Sequence, residues 1–155
     1  LKRRTQKWQG RVKTFLTALG NKDGWEDFHI VPYRDASSFL YPPDRSRIIE
    51  TRKIRVKTLD DVVREENINR IDFMKIDVEG AEKLVLQGGE ETFKNKVDNI
   101  FIEISSFRHG VHSPAYIEIF RFMHDCGFTF IDKIGDYFFS KDEALLREYF
   151  GEWYR

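Results

Sequence analysis

A chain of 155 residues that is 41% hydrophobic, 15% aromatic and 34% charged can bury one real core, at roughly 100 to 200 residues per domain, and is no disordered or fibrous polymer. Its 26 basic and 26 acidic side chains cancel, so the whole molecule exerts no electrostatic pull towards nucleic acid. The single cysteine, Cys126, excludes an internal disulfide and a multi-cysteine zinc site, and no apolar run approaches the roughly 20 residues of a membrane span.

Taken in order, residues 1–13 carry Lys2, Arg3, Arg4, Lys7, Arg11 and Lys13 without one acid. A solvated helix end accounts for this arm better than contact with phosphates. Nothing here resembles a signal peptide, which favours the cytoplasm if Leu1 lies near the true start. A strand is predicted over 12–19, then a tight turn at Asn21-Lys22-Asp23-Gly24 and a second strand over 25–31. The pattern lapses between 32 and 47, where Pro42, Pro43 and several serines mark a loop; its Phe39-Leu40-Tyr41 suits either a flap over a substrate or a surface anchor. A strand over 50–58 leads into a helix over 59–67, with Thr58 as its cap, Leu59, Val62 and Val63 as its apolar stripe, and Asn67 or Asn69 as its end.

The stretch from Ile71 to Glu82 changes period midway. Ile71, Phe73, Ile76 and Val78 read as a buried strand of about six residues. Ala81, Leu84 and Val85 then recur at helical spacing, with Glu82, Lys83 and Gln87 turned outward and Gly88-Gly89 as the stop. Asp77 and Glu79 therefore stand at the carboxyl end of a strand, the edge at which open α/β sheets bind ligands. A short helix over 90–96 and a buried strand over 99–105, containing Glu103, come next. A polar loop over 106–113 holds Arg108, His109 and His112, and Pro114 opens a helix whose apolar face includes Tyr116, Ile119, Phe120 and Met123, ended by Gly127. Cys126 falls in this apolar pattern and reads as a buried, inert thiol. Strands over 128–134 and 137–140 form an antiparallel hairpin about Gly135-Asp136, and an amphipathic helix over 142–149 precedes the tail.

Thr58-Leu59-Asp60, then Ile71-Asp72-Phe73-Met74-Lys75-Ile76-Asp77-Val78-Glu79-Gly80-Ala81-Glu82, then Asn99-Ile100-Phe101-Ile102-Glu103-Ile104 resemble, in that order, the signature of the FkbM-type methyltransferases. The resemblance covers about residues 10 to 135. It implies a Rossmann-like class I methyltransferase sheet with a closing antiparallel hairpin, S-adenosylmethionine as cofactor, and an oxygen of a small-molecule or carbohydrate acceptor as the methylated atom. It would place Leu19, Gly20 and Asn21 near the adenine, Asp77 near the methyl-donor end of the cofactor, and Glu79 facing the acceptor. Such proteins also carry a glycine-containing strand-to-helix turn and an acid that holds the ribose. Before the Asp77 strand the glycines are Gly10, Gly20 and Gly24, and none follows an apolar strand and opens a helix. The resemblance thus implies that residues 1–155 form one partial domain without its first strands and helices, whose uncovered edges favour self-association. A competing reading is a catalytically silent binding or assembly module.

Methyl transfer is an in-line displacement in which the protein positions the acceptor and helps remove its proton. Asp77 and Glu79 suit that work, although acids in the same place also stabilise a helix start by roughly 0.3 to 1 kcal/mol. His109 is a candidate proton acceptor for a hydroxyl, against the plainer reading of a surface loop histidine. Glu103 and His112 are candidates on the substrate side. Asp77, Glu79, Glu103 and a histidine also hold the ingredients of a divalent-metal hydrolase, a weaker reading because their spacing matches no ligand motif; no metal is assigned. Lys75 either reaches past the sheet edge or pairs with an acid, and Glu82 is expected in solvent or in a salt bridge.

Overall fold

The computed structural model describes residues 10–32, 45–104, 114–134 and 136–150, with the backbone alone at 114, 115, 133 and 134. Strands β1 (Ala18–Leu19), β2 (Gly24–Ile30) and β3 (Glu50–Lys57) form one sheet in the order β1-β3-β2. Helix α1 (Leu59–Glu65) leads to β4 (Met74–Ile76), α2 (Glu82–Gln87), α3 (Glu90–Asn95) and β5 (Asn99–Ile102). Helix α4 (Pro114–Asp125), β6 (Thr129–Ile134), β7 (Asp136–Ser140) and α5 (Glu143–Phe150) complete the described α-helices and strands, and a single 3-10 turn at Arg45–Arg47 precedes β3. The second sheet runs β4-β5-β7-β6, with β4 parallel to β5 and β7 antiparallel to both its neighbours.

The helices form where the sequence pattern puts them. Thr58 caps α1 by accepting the Asp61 N–H at 3.1 Å. Asn67, with φ 53°, ends it in a left-handed residue while the Ile68 N–H returns to the Val63 carbonyl at 3.0 Å. On α4, Tyr116, Ile119 and Met123 recur at helical spacing, and Cys126 just beyond extends the stripe. They pack with Ile100, Ile102, Tyr137 and Phe139 into the one large core, and burial raises the pKa of the Cys126 thiol.

Four expectations change. The strand over 12–19 shrinks to Ala18–Leu19, because the Thr17 hydroxyl bonds the Arg55 carbonyl at 2.9 Å where a backbone ladder would otherwise continue. The turn after it makes no hairpin: β3 lies between β1 and β2, with Val56 opposite Ala18 on one side and Gly24 on the other. The central strand has three residues instead of about six. Ile71 still bridges to Val97, but the Asn99 side chain donates to the Asp72 carbonyl at 2.8 Å and interrupts the ladder until Met74 meets Ile100. The implied single sheet is likewise present as two, and the free edges of β1 and β4 are where the described strands stop.

The two sheets are joined by a close backbone contact. A Cβ built on Gly88 would lie 1.9 Å from the Gly20 carbonyl oxygen and 3.2 Å from the Asn21 Cα. Only a residue without a side chain permits that approach. Gly88→Ala should therefore lower stability by about 1 to 3 kcal/mol, since the obstacle is backbone and cannot rotate away; an unchanged thermal midpoint would show that the two segments separate freely.

Beneath the larger sheet, the Tyr116 hydroxyl donates to the Ile104 carbonyl at 3.1 Å. Burial foremost, then the hydrogen bond and charge of Tyr137 and the charge of Glu82, push its pKa up from 10.0 to about 12. The folded state thus holds this proton more tightly than the unfolded chain. The resulting stability is complete below pH 10 and is lost as pH rises towards about 12. Chemical denaturation across that range should find Tyr116→Phe less stable at pH 8 but with a shallower alkaline decline than the parent; equal slopes would refute the assignment.

Candidate functional site

After β4 the chain runs Asp77-Val78-Glu79-Gly80 into α2. Glu79 has φ 52° and Gly80 φ 98°, and the Ala81 N–H bonds the Val78 carbonyl at 3.3 Å, so the link is a tight turn with both central residues left-handed. Glycine takes this conformation freely, whereas a glutamate there costs roughly 1 to 2 kcal/mol. A fully buried carboxylate, that of Glu82, accepts the Gly80 N–H at 2.8 Å. The expectation of an outward, solvated Glu82 is thereby corrected. The turn folds the helix start back over its own side chain, and Lys83 and Gln87 alone keep the exposed face.

Asp77, Val78 and Glu79 form one wall of a cleft of about 690 Å³. Across it stand residues 15–19, including Phe15, Leu16 and Leu19, with Trp25, Phe28 and Ile54 of the smaller sheet. The far wall is thus largely apolar and the near wall carries two carboxylates. Arg52, Lys53 and Arg55 also border the cleft, but each is engaged by an acid: Glu50 at 2.5 Å, Asp27 at 3.0 Å and Asp23 at 2.5 Å respectively.

Lys75 sits among acids from three strands or strand ends. Its ammonium bonds Asp136 and lies 3.8 Å from Asp77 and 3.7 Å from Glu103. The Asp136 hydrogen bond, ahead of the opposing burial effect and the charges of Asp136, Asp77 and Glu103, raises the Lys75 pKa and keeps it charged. This follows from strand alternation. Lys75 and Asp77 share a sheet face, and the ladder brings Phe101 and Phe138 level with Lys75, so Glu103 and Asp136 fall one step on. The convergence that a metal hydrolase needs is replaced here by convergence on an ammonium, and among the described residues no three His, Cys, Asp or Glu side chains gather to hold an ion.

Of the residues anticipated for ligand contact, Leu19, Asp77 and Glu79 border the same cleft. Gly20 is buried against Gly88, and the exposed Asn21 donates to the Gln87 side chain at 3.3 Å. Glu103 joins the Lys75 cluster. His109 and His112 lie outside the described residues, as does the Phe39-Leu40-Tyr41 segment. Sequence reasoning missed the part played by Asp60. Its carboxylate accepts the Thr92 N–H at 2.8 Å and the Glu91 N–H at 3.3 Å, capping α3, while its own N–H bonds the Gly88 carbonyl at 3.0 Å. The helix start has no side-chain cap of its own, and Asp60 lies 31 residues before the Glu91 amide it accepts, a separation no local pattern reveals.

With this geometry in view, the Methyltransferase FkbM domain model matches residues 6–130 of the chain. The chain belongs to the FkbM methyltransferase family. It is 28% identical over 110 residues to Methyltransferase 1 of Beauveria bassiana, covering 60% of this chain and 44% of that protein. It is 29% identical over 119 residues to Methyltransferase sdnD of Sordaria araneosa, covering 59% and 46%. A 67-residue stretch is 40% identical to part of the AMB antimetabolite synthetase AmbE of Pseudomonas aeruginosa, 43% of this chain but 3% of that one. The chain therefore spans less than half the length of each of these relatives. No solved structure matches it.

Replacing Glu79 by glycine tests the strain in this family member's turn. Relief of the left-handed conformation, about 1 to 2 kcal/mol, should offset the roughly 0.5 to 1 kcal/mol that a glycine adds to unfolded-chain freedom. Thermal unfolding of Glu79→Gly should begin no earlier than in the parent, and a clearly lower midpoint would mean that Glu79 side-chain contacts outweigh the strain.

Proposed function

We propose that these residues form the later part of a Rossmann-like class I methyltransferase domain that uses S-adenosylmethionine to methylate an oxygen of a small-molecule or carbohydrate-like acceptor. The observation that carries this reading is the shared cleft: Leu19, at the end of β1, and Asp77 and Glu79, at the end of β4, face one cavity whose size lies in the range of about 300 to 1,000 Å³ used for small ligands. The strand order β4-β5-β7-β6, with β7 antiparallel, supports the fold, because it ends the sheet in the hairpin the resemblance implies. Family membership and two relatives named as methyltransferases support the reaction class.

The residues present fit part of the cofactor. An apolar wall including Leu19 suits a purine, and Asp77 suits the polar methionine end, whereas a glycine turn for the donor and an acid for the ribose do not occur before β4. When bound, S-adenosylmethionine supplies an electrophilic methyl group. The chain's own contribution is to orient the acceptor hydroxyl beside Glu79 and to take its proton, at Glu79 or at His109, as the oxygen forms its new bond. Lys75 holds its ammonium 3.8 Å from the Asp77 carboxylate, within the strand-end cluster. The free edges of β1 and β4, with the exposed Phe15, Leu16 and Trp25 nearby, support a domain completed by further strands, and self-association of the isolated chain follows from the same exposure.

Calorimetric titration of S-adenosylhomocysteine into the 155-residue chain and into the full natural polypeptide tests the proposal. Binding by the full polypeptide, weakened at least about tenfold by Asp77→Ala, is expected; the chain alone should bind weakly or not at all and elute larger than a monomer. Absence of binding by both would leave a catalytically silent binding or assembly module as the better account.

A further inference from the structure

We infer that Glu82 is a positioning residue for the site: its buried carboxylate holds the left-handed Glu79-Gly80 turn and thereby aims Asp77 and Glu79 at the cleft. The inference rests on the proposed role of those two acids but concerns a residue that touches no ligand.

Glu82 has none of its surface exposed, a rare condition for a carboxylate and one that only good partners sustain. One of those partners is the Gly80 N–H, 2.8 Å from Oε1, two residues back along the chain. The turn it restrains needs restraint, because Glu79 at φ 52° would otherwise relax towards the ordinary right-handed or extended regions. Relaxation at Glu79 would swing its side chain away from the wall it shares with Asp77 and Val78. The Ala81 N–H, 3.3 Å from the Val78 carbonyl, closes the turn only loosely, which leaves the shorter Glu82 bond as its firmer tie. Tyr116 and Tyr137 meet edge to face at 5.6 Å, and the Glu82 charge acts on Tyr116.

The acceptor oxygen, not the negative charge as such, does this work, so Glu82→Gln and Glu82→Met separate the two. The amide of glutamine still accepts the Gly80 N–H, while methionine fills the volume without a strong acceptor. Two readouts are taken on the full natural polypeptide. The first needs no ligand: hydrogen exchange at the Gly80 amide should be slow in the parent and in Glu82→Gln, and at least about a hundredfold faster in Glu82→Met, with the Val85 amide inside α2 unchanged. The second is affinity for S-adenosylhomocysteine, retained within about threefold by Glu82→Gln and lost at least tenfold by Glu82→Met while the protein remains folded by circular dichroism.

A Gly80 amide that exchanges at the rate of an open loop in the parent overturns the inference without any variant. So does a folded Glu82→Met that binds like the parent, and in that case a loss on Asp77→Ala still upholds the methyltransferase reading. Failure of the parent to bind at all removes that reading and this positioning role with it, leaving the exchange result as a statement about turn geometry alone.

Discussion

The contact between the backbones at Gly88 and Gly20 is the constraint on which the rest depends. Helix α2 is only six residues long and would not persist in water by itself. It is fixed at its start by Glu82 under the turn and at its end by a glycine pressed against the segment after β1. Asp60 ties the same end to α1 and α3 through the Gly88 carbonyl and the α3 amides. One short helix thus sets the distance between the wall that carries Asp77 and Glu79 and the wall that carries Leu19.

Two kinds of residue are interleaved in the family signature. Thr58, Asp60 and Glu82 do mechanical work, capping helices and closing a turn, as does Gly88 just beyond the signature by permitting close approach. Asp77 and Glu79 line the cleft. Lys75 lies between the two groups, since its ammonium gathers Asp136, Asp77 and Glu103 across three strand ends. An observer of the sequence alone sees one acidic run, Asp77, Glu79 and Glu82, in which the structure separates cleft side chains from a buried strut.

What was legible in the sequence is what local chemistry decides. Period and capping placed all five described helices and nearly every strand, because Thr58, Pro114 and the stripe from Tyr116 to Met123 act within a turn or two of their own position. What was not legible depends on long-range pairing. Nothing near Asn21 signals that β3 will enter between β1 and β2, and nothing near Asp72 signals that Asn99 will take its carbonyl and shorten β4. Glu82 was misjudged for a related reason: helical spacing puts it beside Lys83 on paper, but a turn with two left-handed residues rotates the first helical position inward.

The Lys75 cluster sets the local field around Asp77, the member of the cluster that borders the cleft. Three carboxylates, Asp77, Glu103 and Asp136, against one ammonium leave a formal charge of −3 + 1 = −2 at one sheet edge, while the cations of the opposite wall are each matched by an acid. Within the screening length of about 8 Å at physiological salt, a molecule of net negative charge meets repulsion there, whereas a neutral or cationic one does not. Selection among small molecules by charge would in that way begin before any of them touches the protein.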